Sequence, residues 1–118
     1  MKITSFNPMI ISKDAGELIS LFEELGFEKR HNKVGEDFSG NRMKHSDGFY
    51  VDIVEAETPR DIASIRMNVD SFDDAYEMLT SRGFRVVQGG AIENTGSSKS
   101  AMMISPSGFA ITVAEHLR

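Results

Sequence analysis

The sequence predicts an α+β fold in which two βαβββ modules, related by pseudo-twofold symmetry, curl into a shared concave sheet. Three observations carry that expectation. The chain repeats itself: Asp14-Ala15-Gly16-Glu17 recurs as Ser71-Phe72-Asp73-Asp74, Leu25-Gly26-Phe27 recurs as Arg82-Gly83-Phe84, and Gly48-Phe49-Tyr50-Val51-Asp52-Ile53 recurs as Gly108-Phe109-Ala110-Ile111-Thr112-Val113. Each copy opens with one segment of helical periodicity between helix start and stop signals. The rest of each copy reads as short strands separated by turn residues. The whole of 1–118 is therefore one domain, with a module at 1–57, a module at 61–118 and a linker at 57–61.

In the first copy, Ile3 to Ile11 is apolar and dense enough for a buried strand. Asp14 followed three residues later by Glu17 predicts a helix N-cap with a capping box. Leu18, Ile19, Phe22 and Leu25 then fall on one helical stripe, and Gly26 takes the left-handed position that ends the helix. Strands are predicted at 27–34, 39–46 and 48–55, separated by Gly35-Glu36-Asp37 and by the tight turn Ser46-Asp47-Gly48.

The second copy repeats that order with a strand at 62–69, a helix at 72–82 and strands at 84–93, 98–104 and 108–115. Ile65, Met67 and Val69 alternate onto one face, which is expected to pack on the helix stripe Phe72, Ala75, Tyr76 and Leu79. Ser71 with Asp74 forms the second capping box, and Gly83 ends the second helix. Gly96-Ser97-Ser98-Lys99-Ser100 lacks the spacing of a phosphate loop and precedes a strand, so it reads as a mobile turn or lid.

Composition narrows the function classes. With 118 residues, 40% hydrophobic and 26% charged, the chain has the make-up of a globular protein. A net charge of −5 with scattered Lys and Arg argues against nucleic acid as a partner. There is no cysteine, which removes disulfides, thiolate catalysis and Cys-based zinc sites. No apolar run reaches the length of a membrane span or a signal core, so no membrane association and a cytoplasmic location are expected.

If each helix covers one face of its sheet, the opposite faces line the concavity. Its inward residues are then Asn7, Met9 and Ile11 with Tyr50, Asp52 and Val54 from the first copy. The second copy contributes Ser64, Arg66 and Asn68 with Ala110, Thr112 and Ala114. Asp52 is either a general base or the anchor for a cationic group, or it is a structural carboxylate paired with Arg66. Arg66 with Asn68 suits a carboxylate or phosphate, with a structural ion pair as the alternative. Tyr50 offers a ring and a hydroxyl to the lining. Of Met102 and Met103, one lines the cavity and the other fills the core, because neighbours on a strand point to opposite faces. His31 and His45 read as solvated strand residues, and His116 as an incidental residue near the C-terminus.

With the repeat, Phe22-Glu23-Glu24-Leu25-Gly26-Phe27 closing the first helix and Ser105-Pro106-Ser107-Gly108-Phe109 before the last strand, the chain resembles the vicinal oxygen chelate superfamily. That superfamily includes glyoxalase I, extradiol dioxygenases, and fosfomycin- and bleomycin-resistance proteins. The resemblance covers essentially the whole chain. In metal-using members, ligands on the first and last strands of each module hold a divalent ion, which would place those roles on Asn7, Asp52, Ser64 and Thr112. Of these only Asp52 is a good ligand at neutral pH; neutral hydroxyls suit Zn²⁺, Ni²⁺ or Fe²⁺ poorly.

The resemblance thus implies a metal-free member without a cofactor. Such a protein would bind a small organic molecule in the inter-module cleft, as a sequestering or sensing module, and would be a homodimer. Bleomycin itself is a poor fit, since the chain has no Trp and only Tyr50 and Tyr76 as tyrosines. Two alternatives stand beside this reading: a metal-dependent lyase, isomerase or dioxygenase of the same superfamily, and a ligandless assembly module.

Overall fold

The computed structural model describes residues 1–29 and 40–117. Along the chain run β1 (Ile3–Ser12), α1 (Ala15–Glu24), β2 (Phe27–Lys29), β3 (Gly40–His45), β4 (Tyr50–Glu55), β5 (Ile62–Val69), α2 (Phe72–Ser81), β6 (Arg85–Val86), β7 (Glu93–Asn94), β8 (Ser98–Ile104) and β9 (Ala110–His116). The fold is α+β: the order βαβββ is followed once as such and once with two short strands, β6 and β7, where the first copy has β2. The chain divides into two compact units. One is Asn7–Ala63; the other combines Met1–Phe6 with everything from Ser64 onward.

In the unit Asn7–Ala63, β4 lies between β1, to which it is parallel, and β3, to which it is antiparallel; β2 pairs with the far side of β3. The sheet is therefore mixed. The parallel pair needs a crossover, and α1 supplies it, packing on one face of the sheet. Ala15, Met43, Val51 and Ile53 form the buried core there, with Ile10, Leu18, Ile19, Phe22 and Phe27 packed against them. Leu25, expected on the same stripe, is instead exposed, because the helix ends at Glu24 and Leu25 turns away at the cap.

The second unit repeats the scheme. β9 is parallel to β5 and antiparallel to β8, and β6 and β7 each pair with β8. Its core is Met67, Val69, Phe72, Ala75, Ala101, Met103, Ile111 and Val113, with Tyr76, Leu79, Phe84 and Val86 around it. The start of the chain joins this unit at the end of β5, where the Lys2 amide donates to Asp70 Oδ1 at 2.6 Å and the Asp70 amide donates to the Lys2 carbonyl at 3.0 Å.

The helix ends differ in how they are capped. Ser71 Oγ accepts the Asp74 amide at 3.2 Å, as the sequence predicts, and Glu115 Oε1 accepts the Phe72 amide at 2.7 Å. Asp14 makes no side-chain cap. Its own amide is instead held by Ser12 Oγ at 3.0 Å, which fixes the entry to α1 from the strand side. Both C-terminal glycines have the predicted left-handed backbone, with φ of +103° at Gly26 and +91° at Gly83. Each also lies under the hairpin of its own module: a Cβ would sit 2.9 Å from His45 Nε2 at Gly26, and 2.9 Å from Pro106 Cγ at Gly83.

Two loop readings are corrected. Residues 84–93 are not one strand; the ladder holds Arg85–Val86 and Glu93–Asn94 only. Between them the chain turns at Gly89, with φ of +84°, and the Gly90 amide donates back to the Val87 carbonyl. Ser98 to Ser100 belong to β8, so the predicted turn is confined to Gly96 and Ser97, where Thr95 Oγ1 accepts the Ser98 amide. His31, the turn Gly35-Glu36-Asp37 and the end of the strand predicted at 27–34 lie outside the described residues.

Candidate functional site

Strand registers show what the repeat places side by side. In the first unit Met9, Asp52 and Arg42 stand in one row across β1, β4 and β3. In the second, Arg66, Thr112 and Met102 stand in the matching row across β5, β9 and β8. Both rows alternate with core residues such as Val51, Ile53, Met67 and Val113, so both lie on sheet faces turned away from the helices. The predicted faces are those the structure has.

Asp52 is fully buried. Its carboxylate accepts from Arg42 Nε at 2.8 Å on Oδ1, from Arg42 Nη2 at 3.0 Å on Oδ2, and from Asn7 Nδ2 at 2.7 Å on Oδ2. The arginine contact is the bidentate fork that suits a planar carboxylate. Asn7 is buried as well and reaches the Pro8 carbonyl with the same amide group, at 3.3 Å. The hydrogen bond to Asp52 is the main cause that raises the Arg42 pKa above its ordinary value, against an opposing effect of burial. Arg42 is one-quarter exposed, and its Cζ lies 5.9 Å from the centre of the Tyr50 ring, with Lys44 Nζ at 5.7 Å from the same ring. Met9 completes the row as a buried apolar neighbour.

The partner of Asp52 is therefore Arg42, not Arg66. Arg42 was missed as a site residue although its signal is present in the sequence. Counting outward from the turn Ser46-Asp47-Gly48 in an antiparallel hairpin brings Arg42 opposite Asp52. A carboxylate whose two oxygens already accept three hydrogen bonds is badly placed to act as a general base. The same bonds put an arginine cation where a metal would need the Asp52 oxygens, so the donor set on this face does not fit a divalent ion. Among the described residues no group of three or more His, Asp or Glu could hold a metal.

In the second unit Arg66 Nε donates to Asn68 Oδ1 at 3.2 Å. Ser64 and Asn68 are buried on the same strand face. Thr112 Oγ1 is buried and has no hydrogen-bond partner among the described residues. Met103 is fully buried in the core, while Met102 beside it is half-buried in the row with Thr112, as their alternation requires. His45 is not a solvated residue. Its ring stacks on Phe49 with centroids 4.5 Å apart and meets the edge of Phe27 at 5.3 Å.

No family model and no curated protein matches the sequence. Solved structures do match. A glyoxalase/bleomycin resistance protein/dioxygenase superfamily member from Vibrio splendidus 12B01 aligns over 94% of this chain and 97% of its own, with a TM-score of 0.61 and 15% identity. Methylmalonyl-CoA epimerase from Streptomyces coelicolor aligns over 100% and 99%, with a TM-score of 0.59 and 16% identity. A Mn(II)-bound glyoxalase from Novosphingobium aromaticivorans aligns over 97% of this chain and 39% of its own, with a TM-score of 0.58 and 19% identity. At these identities the likeness speaks for architecture, because one fold hosts many chemistries. The two βαβββ modules of this chain have the fold of the glyoxalase/bleomycin resistance/dioxygenase superfamily.

Proposed function

We propose that this chain is a metal-free small-molecule-binding protein that sequesters or senses an organic ligand on the sheet faces turned away from α1 and α2. One observation carries the reading. Asp52, the best metal ligand among the residues matched to the metal-using pattern, is neutralised by Arg42 and held by Asn7. The face around it then offers recognition without an obvious reactive group. Arg42 has five N–H donors and spends two on Asp52, which leaves donors for a polar group of the ligand. Tyr50 adds ring surface, which accepts varied apolar shapes. On the matching face, Thr112 Oγ1 supports the same reading, since a buried hydroxyl without a partner costs free energy until something bonds to it.

The test is metal analysis of protein purified without a chelating column, together with thermal-shift screening against metabolites and cationic antibiotics. We expect no stoichiometric metal, and at least one compound that raises the melting temperature of the parent but not of Arg42→Gln. Thr112→Val is expected to raise the ligand-free midpoint, because it removes a buried hydroxyl that has no partner among the described residues. Stoichiometric Zn, Ni, Fe or Mn that disappears in Asp52→Ala would overturn the reading in favour of a metal-dependent enzyme. Failure of every compound to stabilise the fold would favour an assembly module without a ligand.

A further inference from the structure

We propose that the face around Asp52 selects an anion, an organic carboxylate in class, held by Arg42 and Lys44, an assignment that rests on the small-molecule reading of that face. The residues belong to the unit Asn7–Ala63. Asp52 stands opposite Arg42, and Tyr50 opposite Lys44, in the antiparallel register of β4 and β3. Their strand neighbours Met43, Val51 and Ile53 pack in the core under α1, so all four side chains lie on the other face.

Arg42 presents a second fork there. Its side-on pair, Nε and Nη2, is spent on Asp52. The guanidinium is planar with five donors in fixed directions, so the end-on pair, one N–H from each of Nη1 and Nη2, points elsewhere. Two parallel donors of that kind match the two oxygens of another carboxylate. Asp52 anchors the guanidinium beforehand, which lowers the ordering cost of binding, and the side chain is one-quarter exposed.

Lys44 supplies the unbalanced charge. Its half-buried ammonium lies 5.7 Å from the centre of the Tyr50 ring, and Arg42 Cζ lies 5.9 Å from the same centre. Each distance is within reach of a cation–π contact, but two cations on one ring repel each other. Asp52 balances Arg42. Among the described residues Lys44 has no hydrogen bond or ion pair; Glu28, opposite it on β2, is exposed and makes none with it. A carboxylate on the end-on fork, within reach of the ammonium, relieves that repulsion. Asp52 opposes it weakly, because Arg42 and Asn7 already hold its charge. A cationic ligand would meet two like charges on the ring that otherwise attracts it.

The experiment measures the unfolding midpoint of the intact protein with benzoate, phenyl phosphate, benzamide and benzylamine, each against sodium chloride at equal ionic strength. The probes share a ring and differ in charge. Tyr50 and Tyr76 are the only tyrosines of the chain, so the ring protons of Tyr50 report on this face and those of Tyr76 on the core of the other unit. We expect benzoate to stabilise saturably and to shift Tyr50 but not Tyr76, and benzamide and benzylamine to do neither. Lys44→Gln breaks no ion pair among the described residues and removes a repulsion, so its ligand-free midpoint stays at or above that of the parent. The same variant is expected to weaken benzoate by about tenfold, the scale of one charge-assisted hydrogen bond. Benzoate affinity unchanged in Lys44→Gln, or phenyl phosphate binding without benzoate, overturns the assignment. If benzamide or benzylamine matches benzoate, the anion class falls and the small-molecule reading stands; if neither these probes nor any compound of the wider screen binds, both fall.

Discussion

Replacing Arg42 with methionine removes the cation from a fully buried carboxylate and keeps most of the aliphatic volume. Asp52 would retain only the Asn7 hydrogen bond of its three. Loss of one partner of a buried ion pair costs about 3–5 kcal/mol, since the remaining charge stays desolvated. Arg42 is one-quarter exposed, which admits some water to the site and places the expected loss near the lower limit, about 3 kcal/mol. With a urea dependence of about 1.5 kcal/mol/M, a loss of that size moves the unfolding midpoint down by about 2 M. The double variant Arg42→Met/Asp52→Leu removes both charges, and an apolar replacement of a buried pair is often neutral. Its stability is therefore expected within about 1 kcal/mol of the parent. The coupling from the full cycle measures the pair itself. If Arg42→Met changes the unfolding free energy by less than about 0.5 kcal/mol, the size of an ordinary surface change, the ion pair is not made in solution and the account of this face fails.

Gly83→Ala is expected to destabilise by more than Gly48→Ala in the same urea titration. Both positions have positive φ, but a Cβ at Gly83 meets the rigid ring of Pro106 at 2.9 Å while one at Gly48 meets open space. The backbone cost common to both is about 1–2 kcal/mol, so equal losses would show that the hairpin does not press on the helix end. Ser71→Ala should cost about 1 kcal/mol through the lost N-cap, whereas Asp14→Ala should cost a few tenths at most. A larger loss at Asp14 would mean that its carboxylate caps α1 after all.

The sequence by itself determined the order of elements, the two glycine helix stops and the division of each strand into a helix-facing and an opposite side. These are local properties: periodicity, turn chemistry and φ preference act within a few residues, and the repeat states them twice. Thus Met67, Val69, Ile111 and Val113 lie in the core while Arg66, Asn68 and Thr112 lie on the other face. Tertiary structure decided the partners. Which cation neutralises Asp52 depends on strand neighbours, and adjacency across β3 and β4 settled it in favour of Arg42. The fate of His45 was decided the same way, since Phe27 from β2 and Phe49 from the turn before β4 both pack on its ring. Asp14 shows the opposite failure: its sequence context suits a cap, but Ser12 on the preceding strand holds its amide, and the carboxylate is not needed. A side chain's type and face follow from its neighbours along the chain; its charge partner follows from its neighbours in space.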